Sequence, residues 1–440
     1  MWLGTQSVGA DGHLHVGGCD TVALAEQFGT PLYVLDEWAF RARCRAYRQA
    51  FCARKPDTRI AYAGKALLTV AVCQMVAEEG LELDVASGGE LYTALKAGFP
   101  PERIHLHGVY KTESELREAL AVRVGTIVLD NFDEIERLRG LMSAEDSVSV
   151  MVRVAPEVAA ETHPLIQTGQ LDSKFGFHWH SGEPLRAVEA VLADSRLRLE
   201  GFHCHIGSQI GDLEAFRSAT RAMVAFAQSV RQQSGYWAPL LNVGGGLAVR
   251  YTPDDSEWTP EALAEAIVGA LRRACAHEGY PEPVLMIEPG RSLIAEAGLT
   301  LYRVGAVKHV PHGRSDLPET YLIVDGGVSD NPRPSMYGAR YTAVNAMRAD
   351  PTLPRRPYRI LGKHCETDPI IDWAEIPETR VGDLIAVLTT GAYTYSMSSN
   401  YNRYPRPAMV AVREGQARLI VQRETYDQLI QNDLSLSGIL

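Results

Sequence analysis

The 440-residue sequence predicts an α/β chain, in which a (β/α)8 TIM-like barrel is followed by a C-terminal β domain that also takes in an N-terminal strand. Three observations predict it. Short β-rich apolar runs alternate with helical patterns across residues 58–290, the runs number eight, and after Leu299 the long helical patterns stop. The length suits the division, because single hydrophobic cores stop growing at about 250–300 residues.

The eight runs cover residues 59–63, 83–85, 104–107, 126–129, 148–154, 199–203, 240–243 and 284–287, and most are followed by Gly, Ser or Asn at a turn. Helix starts stand between them. Ser87 with Glu90, Thr112 with Glu115 and Asn131 with Glu134 each place a capping side chain three residues before an acid. An open doubly wound sheet would use fewer strands and usually a GxGxxG turn after the first, which the sequence lacks. Later alternating segments, at residues 301–310, 321–324, 358–361, 383–388, 408–412 and 417–422, read as strands. The last two flank Arg413-Glu414-Gly415-Gln416, a turn suited to a hairpin. Residues 32–35, after Pro31, read as one more strand, expected to pack on the β domain. The expected domains are residues 1–38 (N-terminal strand), 39–298 (barrel) and 299–440 (β domain).

Hydrophobic residues make up 46% and charged residues 22%, an ordinary balance for a folded globular protein. A formal net charge of −11 argues against nucleic acid or an anionic membrane as partner, since both need a basic face. The seven cysteines, Cys19, Cys44, Cys52, Cys73, Cys204, Cys275 and Cys365, are scattered without a CxxC pair. Neither a disulfide framework nor a zinc site is expected, and reduced thiols fit a cytoplasmic location. No basic start with an apolar stretch opens the chain, and no run reaches 18 apolar residues, so secretion and membrane spanning are not expected.

Reactive groups of a (β/α)8 barrel sit at the C-terminal ends of its strands. Those ends carry Lys65, Asp84 with Ser87, Arg153, His205 with Ser208, Gly244-Gly245-Gly246, and Glu288-Pro289-Gly290-Arg291. Lys65 stands in a largely apolar stretch, a setting that depresses an amine's pKa and leaves free base to attack an aldehyde. The bland reading is a lysine whose ammonium escapes to the barrel rim. The triple glycine can bring backbone N–H groups to a phosphate, with hydroxyls from Ser208 and Tyr393, or it is simply a tight turn. Glu288 can face a pyridine nitrogen and keep it protonated, with Arg153 holding Glu288 ionised, or the pair is a structural rim ion pair. His205 can stack on a flat ring or be a satisfied rim histidine, and a zinc reading of His203 and His205 lacks a third ligand. No metal is expected. In the β domain, Lys363 and His364 can lower the thiol pKa of Cys365 and make it a proton donor, against the reading of an inert buried thiol. Arg333 and Tyr337 make a candidate carboxylate clamp, against that of an ordinary surface loop.

Taken in order, these motifs resemble the fold-type III pyridoxal-phosphate decarboxylases and, within them, the diaminopimelate decarboxylases. The likeness runs through Thr30-Pro31-Leu32-Tyr33-Val34, Tyr62-Ala63-Gly64-Lys65-Ala66, residues 83–91 and 167–176, and the His205, triple-glycine and Glu288–Arg291 (288–291) motifs. It continues through Asp325-Gly326-Gly327, Arg333-Pro334, His364-Cys365-Glu366, Gly391-Ala392-Tyr393 and residues 396–402. The resemblance implies pyridoxal 5'-phosphate held by Lys65 as a Schiff base, with His205 on the ring and Glu288 at its nitrogen. Asp84 and Arg153 would join them, while Ser208, Gly244, Gly245, Gly246, Gly290, Arg291 and Tyr393 surround the phosphate. It further implies an amino-acid substrate held by Arg291, Arg333, Tyr337, Glu366, Thr367 and Tyr393, with Cys365 returning a proton to the carbanion across a homodimer interface.

The reaction so implied is conversion of meso-2,6-diaminopimelate to L-lysine and CO2. Alternatives are decarboxylation of ornithine, lysine, arginine or a D-configured relative, an amino-acid racemase, and a non-catalytic carrier of the cofactor. A racemase of this architecture places an arginine where Glu288 stands, and retention of Lys65 and Cys365 argues against a carrier. The sequence departs from the family at Val109-Tyr110, where asparagines are common, and at Thr367-Asp368, where Ser-Gly is usual. Thr367 keeps the hydroxyl, and Asp368 is expected to add a charge beside the substrate loop.

Overall fold

A computed structural model describes residues 2–156, 174–311 and 316–436, so the stretch 167–173 of the family-like motif lies outside the described residues. The chain divides into two units. One is a barrel built from residues 41–249 and 256–293, and the other is a β unit built from residues 1–40, 250–255 and 294–440.

In the barrel unit, the eight predicted runs form Arg59–Ala63, Glu82–Val85, Ile104–Leu106, Thr126–Leu129, Val148–Ala155, Leu197–His203, Leu240–Asn242 and Val284–Ile287. Each pairs in parallel with the next, and the eighth returns to the first through Met286↔Arg59 and Ile287↔Ile60, which closes the ring. Closure removes the free edges of the sheet. Ala61, Val128, Met151, Leu240 and Met286 form a buried cluster on these strands.

The helix starts carry the expected caps. Thr112 and Glu115 form a reciprocal capping box, with the Thr112 hydroxyl accepting from the Glu115 N–H and the Glu115 carboxylate accepting from the Thr112 N–H. Ser87 and Asn131 accept from the N–H groups of Glu90 and Glu134, whose carboxylates reach one residue further back, to the N–H of Ala86 and of Asp130.

In the β unit, Leu32–Asp36 lies between Gly298–His309, antiparallel, and Ala408–Arg413, parallel. The sheet runs Pro369–Pro377, Arg355–Leu361, Thr320–Val324, Gly298–His309, Leu32–Asp36, Ala408–Arg413, Gln416–Val421, and Leu384–Leu388 also pairs with Gly298–His309. Alternate residues fill its core, among them Leu32, Val34, Leu299, Leu301, Leu384, Ala386, Leu388, Val410 and Val412. Fully burying each large aliphatic side chain is worth about 1.5–3 kcal/mol, which is why an N-terminal strand so remote in sequence docks here. The hairpin turn is two residues long, with Glu414 at φ 52° and Gly415 at φ 77°, the left-handed pair that matches the twist of the flanking strands. Pro369–Pro377 is a strand outside the predicted segments, and its terminal prolines suit the sheet edge it occupies. Among the described residues, no helix is long and apolar enough to cross a membrane.

Candidate active site

Glu288 follows the eighth barrel strand and is buried. His203 Nε2 lies 3.0 Å from its Oε2, His107 Nε2 lies 3.0 Å from Oε1, and Asn242 Nδ2 donates to Oε1 at 2.6 Å. Burial alone would push the carboxyl up, but the two imidazoles hold it well below the usual carboxylate range, so Glu288 is ionised. Burial pushes both His107 and His203 down. His203 and the Asn242 amide hydrogen-bond the carboxylate, with His107 3.0 Å away, and none of the three is a permanent cation.

Arg153 does not hold Glu288 by contact. Its Nη1 lies 3.5 Å from Asp130 Oδ2, and its guanidinium stands over the Phe175 ring at 4.6 Å. His107, Asn242 and the Glu288-binding role of His203 were missed in the sequence. His107 and His203 close an apolar run as a polar residue and Asn242 stands one residue before the end of another, and that was the available signal. His107, His203 and Glu288 bring their ligand-type atoms within 4.8 Å of one another, so His203 groups with these two and not with His205.

Asp84, buried at the end of the second strand, has Oδ1 3.7 Å from His107 Nε2. Burial pushes its carboxyl up against the pull of His107, and the Glu288 charge adds to the rise. Lys65 stands in the single turn Gly64–Ala66, where a Cβ on Gly64 would meet Asp84 O at 2.8 Å. The residues beside Lys65 are buried, and Lys65 itself is exposed. Its charge still acts inside the barrel mouth: burial first, then Lys65, push His205 well below its ordinary value, leaving the ring neutral.

The loop after the seventh strand cannot carry side chains. Gly244 has φ 70° and Gly246 φ 117°, while a Cβ on Gly245 would sit 2.1 Å from Glu288 O and one on Gly246 2.2 Å from Gly207 O. The Gly244 N–H donates to Asn242 Oδ1 at 2.9 Å, and the Gly245 N–H to His205 Nδ1 at 3.4 Å. Next in sequence to Gly207, Ser208 accepts from the buried Arg291 guanidinium, at 3.0 Å from Nη2 and 3.3 Å from Nε. Gly290 packs on the first strand, where a Cβ would meet Ala63 Cβ at 2.9 Å. Close backbone, a hydroxyl and a buried cation suit a phosphate, and an ionised buried carboxylate suits a protonated ring nitrogen. These residues fit pyridoxal phosphate.

The β unit holds the remaining candidates. Arg333 is buried in the short helix Arg333–Tyr337 and is no ordinary surface-loop residue: Nη1 donates to Tyr251 Oη at 2.7 Å and Tyr341 Oη at 3.4 Å, with the Tyr393 ring 5.9 Å away. Tyr337 and Tyr393 are half-buried. Cys365 is exposed, which overturns the inert buried thiol. Its neighbours Lys363 and His364 have other partners: Lys363 Nζ stands 4.1 Å over the Tyr404 ring, and His364 Nδ1 meets Asp368 at 2.6 Å. Glu366 accepts from Tyr401 Oη at 2.7 Å, and Thr367 is exposed. Asp368 is 1% exposed and turns its carboxylate inward, onto the backbone N–H groups of Val328 and His364. At the other departure, Val109 O accepts from Asn131 Nδ2 at 2.8 Å, and Arg137 stands 5.1 Å over the exposed Tyr110 ring.

A closed parallel barrel with a phosphate-type glycine loop and an ionised carboxylate at its mouth, joined in one chain to a β unit, defines a pyridoxal-phosphate-dependent decarboxylase of fold type III. Residues 38–295 match the family described as pyridoxal-dependent decarboxylase, pyridoxal binding domain. The chain is 46% identical to the diaminopimelate decarboxylase of Bacillus subtilis over 433 residues, covering 98% of this chain and 97% of that one. Among solved structures, the diaminopimelate decarboxylase of M. jannaschii in complex with L-lysine superposes with a TM-score of 0.91 at 32% identity, over 100% of both chains. That of Helicobacter pylori, also with L-lysine, gives 0.83 at 30% identity, over 93% of this chain and 98% of that one. The chain belongs to the diaminopimelate decarboxylase family.

Proposed function

We propose that the chain removes one carboxylate from meso-2,6-diaminopimelate as CO2 and yields L-lysine, with the residues below in the stated roles. The observation that carries the reading is Glu288, buried and ionised at the mouth of a barrel whose curated relatives, 46% and 42% identical over nearly the whole chain, are diaminopimelate decarboxylases. A bound pyridoxal phosphate supplies an electron sink for the pair left when the Cα–carboxylate bond breaks.

Lys65 Nζ is assigned as the amine that holds the cofactor, and Glu288 keeps a proton on the ring nitrogen. His205, neutral, takes the face of the ring, and Asp84 and Arg153 complete its surroundings. Arg291 with Ser208, the loop Gly244, Gly245 and Gly246, and Gly290 hold the phosphate, assisted by Tyr393. Substrate recognition falls to Arg291, Arg333, Tyr337, Glu366, Thr367 and Tyr393: the guanidiniums suit carboxylates, and Glu366 suits an ammonium. Cys365 Sγ gives its proton to Cα after CO2 leaves, and solvent reprotonates the thiolate. The family resemblance puts that thiol in the site of a second copy, so the working form is a homodimer. Seven free cysteines fit a cytoplasmic location.

A CO2-release assay with meso-diaminopimelate, lysine, ornithine and arginine in parallel tests the reading. Turnover of meso-diaminopimelate is expected, and turnover of ornithine alone overturns the substrate while leaving the reaction class.

A further inference from the structure

The exposed Cys365 and Glu366 sit on a loop whose two ends are joined, since the Gly362 N–H donates to Asp368 O at 2.8 Å. Asp368 takes a left-handed backbone, φ 46°, and turns a fully buried carboxylate back under the loop. Oδ1 accepts from the Val328 N–H at 2.6 Å, and Oδ2 from the His364 N–H at 3.0 Å. Oδ2 also meets His364 Nδ1 at 2.6 Å, while His364 Nε2 reaches Ser329 Oγ at 2.8 Å. Room for the carboxylate exists because two neighbours lack side chains: a Cβ on Gly327 or Gly362 would lie 2.1 or 2.0 Å from Oδ2.

The outer face of the loop is held by a second segment. The Cys365 N–H donates to Asn402 Oδ1 at 3.0 Å, Tyr401 Oη donates to Glu366 at 2.7 Å, and the Tyr401 ring stacks on His364 with centroids 6.0 Å apart. That segment is tied back to Ser329, whose carbonyl accepts from the Ser399 N–H at 2.8 Å. Thus the thiol is exposed while every neighbour that sets its backbone is anchored. Ser329, His364 and Asp368 stand in the order of a hydrolytic triad, but Ser329 is 5% exposed, and the group this array presents to solvent is Cys365.

We propose that Asp368, through His364 and Ser329, is a positioning residue that fixes Cys365 for proton return to Cα. This inference rests on the donor role given to Cys365 above. An exposed donor on a free loop would spend most of its time out of line, and a misplacement of about 1 Å costs on the order of a hundredfold in rate. The array removes that freedom without touching the thiol.

The test uses the holoenzyme and meso-diaminopimelate. Asp368→Gly keeps the left-handed backbone and deletes only the carboxylate. Asp368→Asn also accepts that backbone and keeps one acceptor for the Val328 N–H, so it guards against simple unfolding of the glycine variant. Asp368→Gly is expected to lower kcat about tenfold, and Asp368→Asn by less. In a Cys365→Ala background, Asp368→Gly is expected to change kcat less than about twofold, because the group it positions is gone. An equal fall in both backgrounds overturns the proposal, as does wild-type kcat in both Asp368 variants. Wild-type kcat in Cys365→Ala alone overturns the donor role, and this inference with it.

Discussion

The barrel holds an anchored carboxylate at each end, and the two differ in what anchors them. At the N-terminal end, Glu82 opens the second strand and takes Arg59 Nε and Nη2, each at 2.8 Å, with His105 Nε2 at 2.6 Å. At the C-terminal end, Glu288 takes His107, His203 and Asn242. Burial would raise the Glu82 carboxyl, yet His105 and Arg59 hold it at about 2. A guanidinium is always charged, so it cancels the charge of Glu82 and leaves a finished ion pair. Imidazoles, whose charge burial opposes, and an amide surround Glu288, so no permanent cation cancels its negative charge and it remains for a cationic ligand. The same carboxylate chemistry therefore braces one end of the barrel and prepares the other for a ligand, as the polarity of this fold leads one to expect.

The sharpest way to break this contrast begins with Lys65. Lys65→Ala is expected to abolish CO2 release and the visible absorption of lysine-bound cofactor while the far-ultraviolet circular dichroism stays unchanged. Retained absorption would remove Lys65 from the site. Next, Glu288→Gln keeps the shape and deletes the charge, and kcat should fall about 10²–10³-fold, as for loss of one preorganised electrostatic contact in a water-poor site. Its counterpart, Glu82→Gln, should leave kcat within about twofold and lower stability instead.

The size and pH window of that stability loss follow from linkage. In the folded chain the Glu82 carboxyl sits at about 2 against an ordinary 4.5, a depression worth roughly 3 kcal/mol at neutral pH. A depressed carboxylate contributes fully above its unfolded value and loses that contribution as pH falls through the folded one. Urea unfolding should therefore separate wild type from Glu82→Gln at pH 7, and the gap should close between pH 4.5 and pH 2. A gap that persists at pH 2 would assign the effect to packing.

The elements of the barrel were legible because short apolar runs and capping residues are local, and the Glu414-Gly415 turn for the same reason. Chemistry at the strand ends was legible where it follows a run, as at Lys65, Glu288 and the triple glycine. Partner choice was not, because it depends on register around a closed ring. Arg153 was expected on Glu288, but it found Asp130, while His107, from the third strand, filled the place. Likewise, the apolar letters around Lys65 match the burial of Ala63, Gly64, Ala66 and Leu67, while Lys65 itself is exposed. Asp368 shows the converse: a charge in a loop became buried because two glycines distant in sequence from one another left it room.

The smallest effect expected at the C-terminal end comes from Asn242, which joins its two halves. Its Nδ2 donates to Glu288 and its Oδ1 accepts from the Gly244 N–H, so one amide sets the ring partner and the phosphate loop at once. Asn242→Ala removes both bonds but leaves His107 and His203 on the carboxylate, at a cost of about 1–1.5 kcal/mol. Cofactor affinity should weaken about tenfold, read by equilibrium titration of the cofactor-free protein with pyridoxal phosphate. Asn242→Asp keeps the acceptor for Gly244 yet turns the other contact into two facing carboxylates, so it should bind more weakly than the alanine variant. If aspartate bound better, Glu288 would be protonated in the free protein, and the two ends of the barrel would differ in charge state and not merely in partner.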